Sequence, residues 1–317
     1  MDGGTIADVG GIRVGNWTDL KAATGCTVVL CDRPATGGCF VAGAAPGTRE
    51  TALLDPTCIV DEVHAVLLSG GSAFGLDAAS GVMRYLEGER RGFDVGVARV
   101  PIVPAAILFD LGLGSPSVRP RSENGYSACL DATSGDVPQG NVGAGAGATV
   151  GKVAGPEHAM KGGLGSSSIR LKGGIVVGAL AAVNCAGDVV DPADGRIVAG
   201  ARGADGAFLD SRGLLLGGEE DRPAPGANTV VAVVATNARL DKAQTNRLAR
   251  LAYQGLCRTV RPVLPFDGDT IFALSQKEGG EAELGILAVA AAEVLSRALL
   301  SGVRAAATLH GCPGLAG

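Results

Sequence analysis

The chain carries little charge, and none of it is bunched. Charged residues make up 19% of its 317 positions, with 27 Lys and Arg against 32 Asp and Glu, a formal net charge of −5 and no basic block. Nucleic acid and anionic membrane surfaces are therefore not expected as partners, since both are held by clustered positive charge. Histidine is scarcer: His64, His158 and His310 lie far apart, with no H-x-x-x-H spacing and no cysteine pair beside them, which argues against a zinc site. No C-x-x-C pair occurs among Cys26, Cys31, Cys39, Cys58, Cys129, Cys185, Cys257 and Cys312. Several sit in apolar runs such as Cys26-Thr27-Val28-Val29-Leu30-Cys31, as small core residues do in a reducing compartment. The amino-terminal residues show no basic segment followed by an apolar one, and no uncharged run reaches the ~18 apolar residues of a membrane span. A cytoplasmic protein is expected.

Glycine is plentiful, with 51 residues, yet has no three-residue period, which excludes collagen. These glycines sit among Val, Ala and Leu, and hydrophobic residues make up 46% of the chain, so tight turns and close backbone packing around a large core are expected rather than disorder. Strands are expected at 12–14 and 27–30, separated by a turn at Gly15–Asp19, and at 65–68, 173–183, 230–234 and 271–274. Helices are expected from Ala73 to about Glu87 with Ser72 as cap, from Ser122 to about Thr133, from Asp241 to about Cys257 with Asp241 as cap, and from Ala282 to about Ser301. This alternation predicts a layered α/β domain over 1–317.

Gly143-Ala144-Gly145-Ala146-Gly147-Ala148-Thr149-Val150-Gly151-Lys152 imitates two nucleotide-binding motifs and satisfies neither. A phosphate loop needs Gly where Ala146 stands and Ser or Thr where Val153 stands; a dinucleotide fingerprint needs a strand where Pro138–Asn141 forms a turn. The run predicts close backbone packing that delivers Lys152 to a defined point, although a lone lysine also suits a solvated surface. No G-x-S-x-G elbow is present, and Asp267-Gly268-Asp269-Thr270 departs from a calcium loop at Ile271 and Phe272. Asn184, at the end of an apolar strand, is either a turn residue or a donor placed to hold an oxyanion.

A Pro- and Gly-rich stretch, 194–228, leads into Asn228-Thr229-Val230-Val231-Ala232-Val233-Val234 and predicts a long exposed approach to a buried strand. Thr229 can serve simply as a strand former. It can also become a new amino terminus, whose α-amine, with a pKa of about 7.7–8.0, supplies the base its own hydroxyl lacks. Cleavage at Asn228–Thr229 by attack of the Thr229 hydroxyl on the Asn228 carbonyl would release that amine. Asp267 and Asp269 either cap a turn or, two residues apart at a strand start, converge from one face on the Thr229 amine.

These residues resemble a known family. Thr24-Gly25-Cys26-Thr27, Gly47-Thr48-Arg49-Glu50-Thr51, Ser69-Gly70-Gly71-Ser72-Ala73-Phe74-Gly75-Leu76, Gly147–Lys152, Val183-Asn184 and Asp267–Thr270 are similar to the self-processing amino-terminal-nucleophile hydrolases that include β-peptidyl aminopeptidases, D-aminopeptidases and the nylon-oligomer endohydrolase. The resemblance implies a four-layered α/β/β/α sandwich and cleavage into an α fragment, 1–228, and a β fragment, 229–317. It implies a tetramer of such units, no cofactor, and a small amide or peptide substrate. It further implies Thr229 as nucleophile, Asp267 and Asp269 as its assistants, and Lys152 and Asn184 for electrostatic and oxyanion roles. The Thr229, Asp267 and Asp269 set matches the endohydrolase branch rather than the aminopeptidases, which carry Ser, Ser and Glu. Phe74, in a substrate-binding position, replaces that branch's tyrosine and removes a hydroxyl. The alternatives are an aminopeptidase acting on β- or D-amino-acid termini and an acyltransferase of the ornithine acetyltransferase type.

Overall fold

The computed structural model describes residues 4–218 and 228–317. Among these, nine strands form the main sheet: β1 (Ile12–Asp19), β2 (Thr24–Val41), β3 (Thr48–Arg49), β4 (Glu62–Ser69), β5 (Ala105–Ile107), β6 (Leu164–Arg170), β7 (Val176–Asn184), β8 (Thr229–Thr236) and β9 (Thr270–Ser275). The helices are α1 (Ala78–Gly88), α2 (Ser122–Asp131), α3 (Ser211–Gly217), α4 (Lys242–Thr259) and α5 (Leu284–Arg304). Strands pair in the order β6-β7-β8-β9-β2-β4-β5-β3, with β1 also on β2.

Side-chain alternation along the strands shows how this sheet is layered. Val230, Ala232 and Val234 of β8 join a core under α4 and α5, while Val231, Val233 and Ala235 join a second core with Val29 and Cys31 of β2 and Val66 and Leu68 of β4. The opposite faces of those two strands, Cys26, Val28, Leu30, Ala65 and Leu67, pack on Ala78, Val82 and Leu86 of α1. Strand β2 belongs to both layers. Its first part pairs with β1 and β4, its register with β4 shifts between Leu30 and Ala35, and Thr36–Val41 then pair with β9. The architecture is the expected α/β/β/α sandwich, and β8, buried on both faces, reads as one apolar run for that reason.

Several elements differ from the sequence expectation. Gly15–Asp19 does not turn but continues β1, paired with Thr24–Val28, and the chain reverses at Leu20–Ala23. Ser72 does not cap a helix: its φ is +54°, a 3-10 turn spans Ser72–Asp77, and α1 follows. The approach from 194 is not wholly exposed. The buried Asp188 carboxylate accepts hydrogen bonds from Ala201 N (3.0 Å), Ser211 N (2.7 Å) and Ser211 Oγ (2.7 Å), tying the start of α3 inward. The rest of that approach, 219–227, lies outside the described residues. Asp241 caps α4 as expected, accepting from Gln244 N at 2.7 Å. Helix α5 is long and apolar enough to cross a membrane, which the reading of charge-free runs did not anticipate, but 67% of its most apolar window is buried and it packs on α4, β6 and β7 as a core helix.

Close packing of α5 on β6 depends on Gly165, where a Cβ would lie 2.0 Å from Ala298 O and 2.3 Å from Gly302 N. Backbone atoms cannot yield cheaply there. Gly165→Ala is expected to cost at least the roughly 1–3 kcal/mol of core overpacking, lowering the thermal midpoint by several degrees in a melting experiment.

Candidate active site

Register alone brings the site together. Antiparallel β7 ends where β8 begins, pairing Asn184 with Thr229, and parallel β9 starts beside it, pairing Thr270 with Val231. The segment just ahead of β9 therefore arrives at the mouth of β8. Asp269 Oδ1 accepts the Val230 N–H at 2.7 Å, and Gly268 N donates to Asn228 O at 3.0 Å. The Thr229 hydroxyl donates to the same Asn228 carbonyl oxygen. Asn228, Thr229, Asp267 and Asp269 are each no more than 2% exposed. Within this loop Asp267 and Asp269 come together for a different reason than expected. Strand β9 begins only at Thr270, so a turn clamped by the 42–45 segment, not the pleat of a strand, converges the carboxyls. Ala42 N bonds Asp269 O at 2.9 Å and Ala45 N bonds Asp267 O at 3.2 Å.

On the other side, the glycine-rich run packs backbone on backbone. A Cβ at Gly145 would lie 2.0 Å from Leu164 N. The short strand Thr149–Val150 then presents Thr149 N to Asn184 Oδ1 at 3.0 Å, and Lys152 Nζ reaches Asn184 Oδ1 at 3.0 Å and Asn184 O at 3.1 Å. Lys152 Nζ thus lies against Asn184 rather than in solvent, the surface position that a lone lysine also suited. Asn184 Nδ2 donates to Phe109 O at 3.1 Å, so the carboxamide is held from both ends. Phe74 makes none of these contacts. It sits 60% exposed on the Ser72–Asp77 turn, with the Arg119 guanidinium 4.1 Å from its ring centroid.

Burial sets the proton affinities. It lowers Lys152 to about 8, with Cys185 and Asp267 opposing, and raises Asp267 to about 6 against the pull of Lys152. Asp269 rises to about 7, through burial and the neighbouring Asp267, against the Val230 N–H and Tyr253. Three groups whose proton affinities are drawn toward neutrality thus lie on the segments that meet at the start of β8, a frequent condition of acid–base sites.

Three contributors escaped the sequence reading. Tyr253 of α4, one of only 3 tyrosines, faces the Asp269 carboxyl. Lys161, fully buried, donates to Ala146 O (2.8 Å) and Ala148 O (2.6 Å) and so fixes the run that presents Thr149 and Lys152; burial lowers it to about 7. Gly268 drew notice only as the spacer between two acids. No sequence signal marks Lys161, which follows Glu157 and His158 closely and precedes two glycines. Among the described residues, no three His, Cys, Asp or Glu side chains cluster as metal ligands do.

Known proteins are similar to this chain over most of its length. An uncharacterized aminopeptidase of Mycobacterium tuberculosis is 42% identical across 98% of this chain and 96% of its own length, and one of Mycobacterium leprae is 40% identical across 98% and 92%. A 6-aminohexanoate-oligomer endohydrolase of Kocuria is 28% identical across 86% of this chain and 74% of that protein. The L-aminopeptidase D-Ala-esterase/amidase from Ochrobactrum anthropi, solved as a variant of the Ntn hydrolase fold, superposes with a TM-score of 0.71 at 19% identity over 96% of this chain and 88% of that one. None of these names favours acyl transfer. The family model for peptidase family S58 matches residues 4–316, and the chain belongs to that family, as a peptide or amide hydrolase of the amino-terminal-nucleophile type.

Proposed function

We propose that the chain is made as a precursor that cuts its own Asn228–Thr229 bond, leaving fragments 1–228 and 229–317 associated, and that the freed Thr229 then hydrolyses peptide or small-amide bonds. One observation carries this reading: the buried Thr229 hydroxyl lies on the Asn228 carbonyl at the mouth of β8, with the Asp269 carboxyl bonded to the next N–H. In self-cleavage Thr229 Oγ1 bonds to the Asn228 carbonyl carbon, the C–N bond breaks, and the nitrogen takes up a proton to become the amine. Water then hydrolyses the ester. In turnover the same oxygen attacks the substrate carbonyl, its proton passes by way of the Thr229 amine to the leaving amine, and water releases the acyl group. Asp267 and Asp269 hold and tune the amine, while Lys152 and the Asn184 it grips offset negative charge.

The mycobacterial relatives' names favour a peptide substrate cut at its amino terminus; the Thr229, Asp267 and Asp269 set favours endo-amide cleavage, with nylon oligomers as incidental substrates where Phe74 lacks a hydroxyl. We place the enzyme in the cytoplasm on its free cysteines, half of them buried. A tetramer is supported by the exposed apolar face of α5, where Ile286 is 53% and Val289 73% exposed. Intact mass measurement of the denatured protein tests the central step. Two species ending at 228 and beginning at 229 are expected, with hydrolysis on a panel of amides; a single species of 317 residues overturns it.

A further inference from the structure

We propose that the backbone N–H of Gly268 is an oxyanion donor of this site, beside the charge-offsetting Lys152 and Asn184, acting first on the Asn228 carbonyl during self-cleavage and then on the substrate carbonyl. The proposal rests on Thr229 being the nucleophile and adds the group that receives the charge. Gly268 N already donates to Asn228 O at 3.0 Å, the one oxygen that also takes the Thr229 hydroxyl. When Thr229 Oγ1 bonds to the Asn228 carbonyl carbon, the π pair of the C=O moves onto that oxygen and the N–H meets it. When the pair returns, the C–N bond breaks. The donor is in place before any charge develops, which is where an oxyanion contact gains most.

Only glycine permits this approach. A Cβ at 268 would lie 2.7 Å from Thr229 Oγ1 and 2.6 Å from Ala45 O, so any side chain would push the N–H away from the nucleophile. The peptide planes on both sides are fixed: Asp267 O accepts from Ala45 N (3.2 Å), Asp269 O from Ala42 N (2.9 Å), and Gly268 O from Thr270 Oγ1 (3.1 Å). The grip is on the main chain. Asn228 is 1% exposed, and among the described residues neither Oδ1 nor Nδ2 of its side chain has a hydrogen-bond partner. A donor that holds a carbonyl and ignores the side chain beside it serves any acyl group delivered to Thr229 Oγ1, the substrate's included.

The test replaces Gly268 with glycolic acid in the full chain, by nonsense suppression with the hydroxy acid, so that an ester oxygen stands where the N–H was and nothing is added. Self-cleavage, followed on denaturing gels, and kcat on a p-nitroanilide amide are both expected to fall by about 10²–10³-fold, the size of losing one oxyanion donor, with KM changed by only a few-fold. The same replacement at exposed Gly280 should leave both rates unchanged. Gly268→Ala should block both. A glycolate-268 protein that matures and turns over within about threefold of the Gly280 control overturns the proposal. Should that chain not fold, hydrogen exchange at the Gly268 amide of the uncut Thr229→Ala protein decides. Slow exchange is expected, and exchange at the rate of a free loop amide refutes the contact. Cleavage of Thr229→Ala itself would instead refute the choice of nucleophile and leave a different signature.

Discussion

Thr229→Ala is expected to remain a single chain of 317 residues and to show no measurable amide hydrolysis. The substitution removes a hydroxyl and a methyl at a site that is 2% exposed, and the remaining Ala still suits the first position of β8, so the protein should fold. What disappears is the hydroxyl in contact with the Asn228 carbonyl, and with it both the cleavage and the amine that cleavage would release. Loss of a nucleophile in serine hydrolases costs roughly 10⁶-fold in kcat, and here maturation is lost as well. Thr229→Ser keeps the oxygen and should still cut. A denaturing gel settles both; an alanine variant processed like wild type would refute the assignment of Thr229.

Asp269→Asn should slow self-cleavage by about 10²–10⁴-fold, the range for losing a general acid or base. Asparagine can still accept the Val230 N–H that Asp269 Oδ1 receives at 2.7 Å, so the geometry survives and only the ionisation is removed. In the wild-type chain the deprotonated carboxylate is the useful form. With Asp267 at about 6 and Asp269 at about 7, self-cleavage should therefore accelerate as pH rises through that window. It should decline above about 8, as Lys152 loses the proton that offsets developing negative charge. Hydrolysis by the cut enzyme gains a further rising limb near ~7.7–8.0, from an amine the precursor does not have. A pH–rate profile of Asp269→Asn should lose the upper part of the acid limb. An acid limb identical to wild type would exclude Asp269 from proton handling.

What the sequence revealed follows from what stays local. The unbroken apolar run from Val230 marks β8 because both its faces are buried, and the Asp241 cap marks the start of α4 through bonds that span three residues. The glycines before Lys152 marked close backbone packing, but its place beside Asn184 is set by a contact between distant segments that the run itself does not encode. The carboxyl pair was found for the wrong reason. Asp267 and Asp269 precede β9 and meet through a loop clamped by residues 42–45, more than 200 positions away in the chain, and no periodicity within one segment encodes such a contact. The dual membership of β2 was hidden for the same reason, since its register shift between Leu30 and Ala35 shows only once the neighbours on each side are known. Gly268 carries no side-chain signature, and its contribution is a main-chain proton aimed by tertiary packing.

After the proposed cut at Asn228–Thr229, the strand order would have a lasting effect on the protein. Strands β8 and β9 belong to the carboxy-terminal piece, and their outer partners β7 and β2 both belong to the amino-terminal one. The smaller piece is therefore inserted into the larger like a tenon in a mortise, hydrogen-bonded along two edges, and neither can diffuse away without tearing open the middle of the sheet. The proposed nick would alter the chemistry at one residue and leave the mechanical integrity of the particle intact.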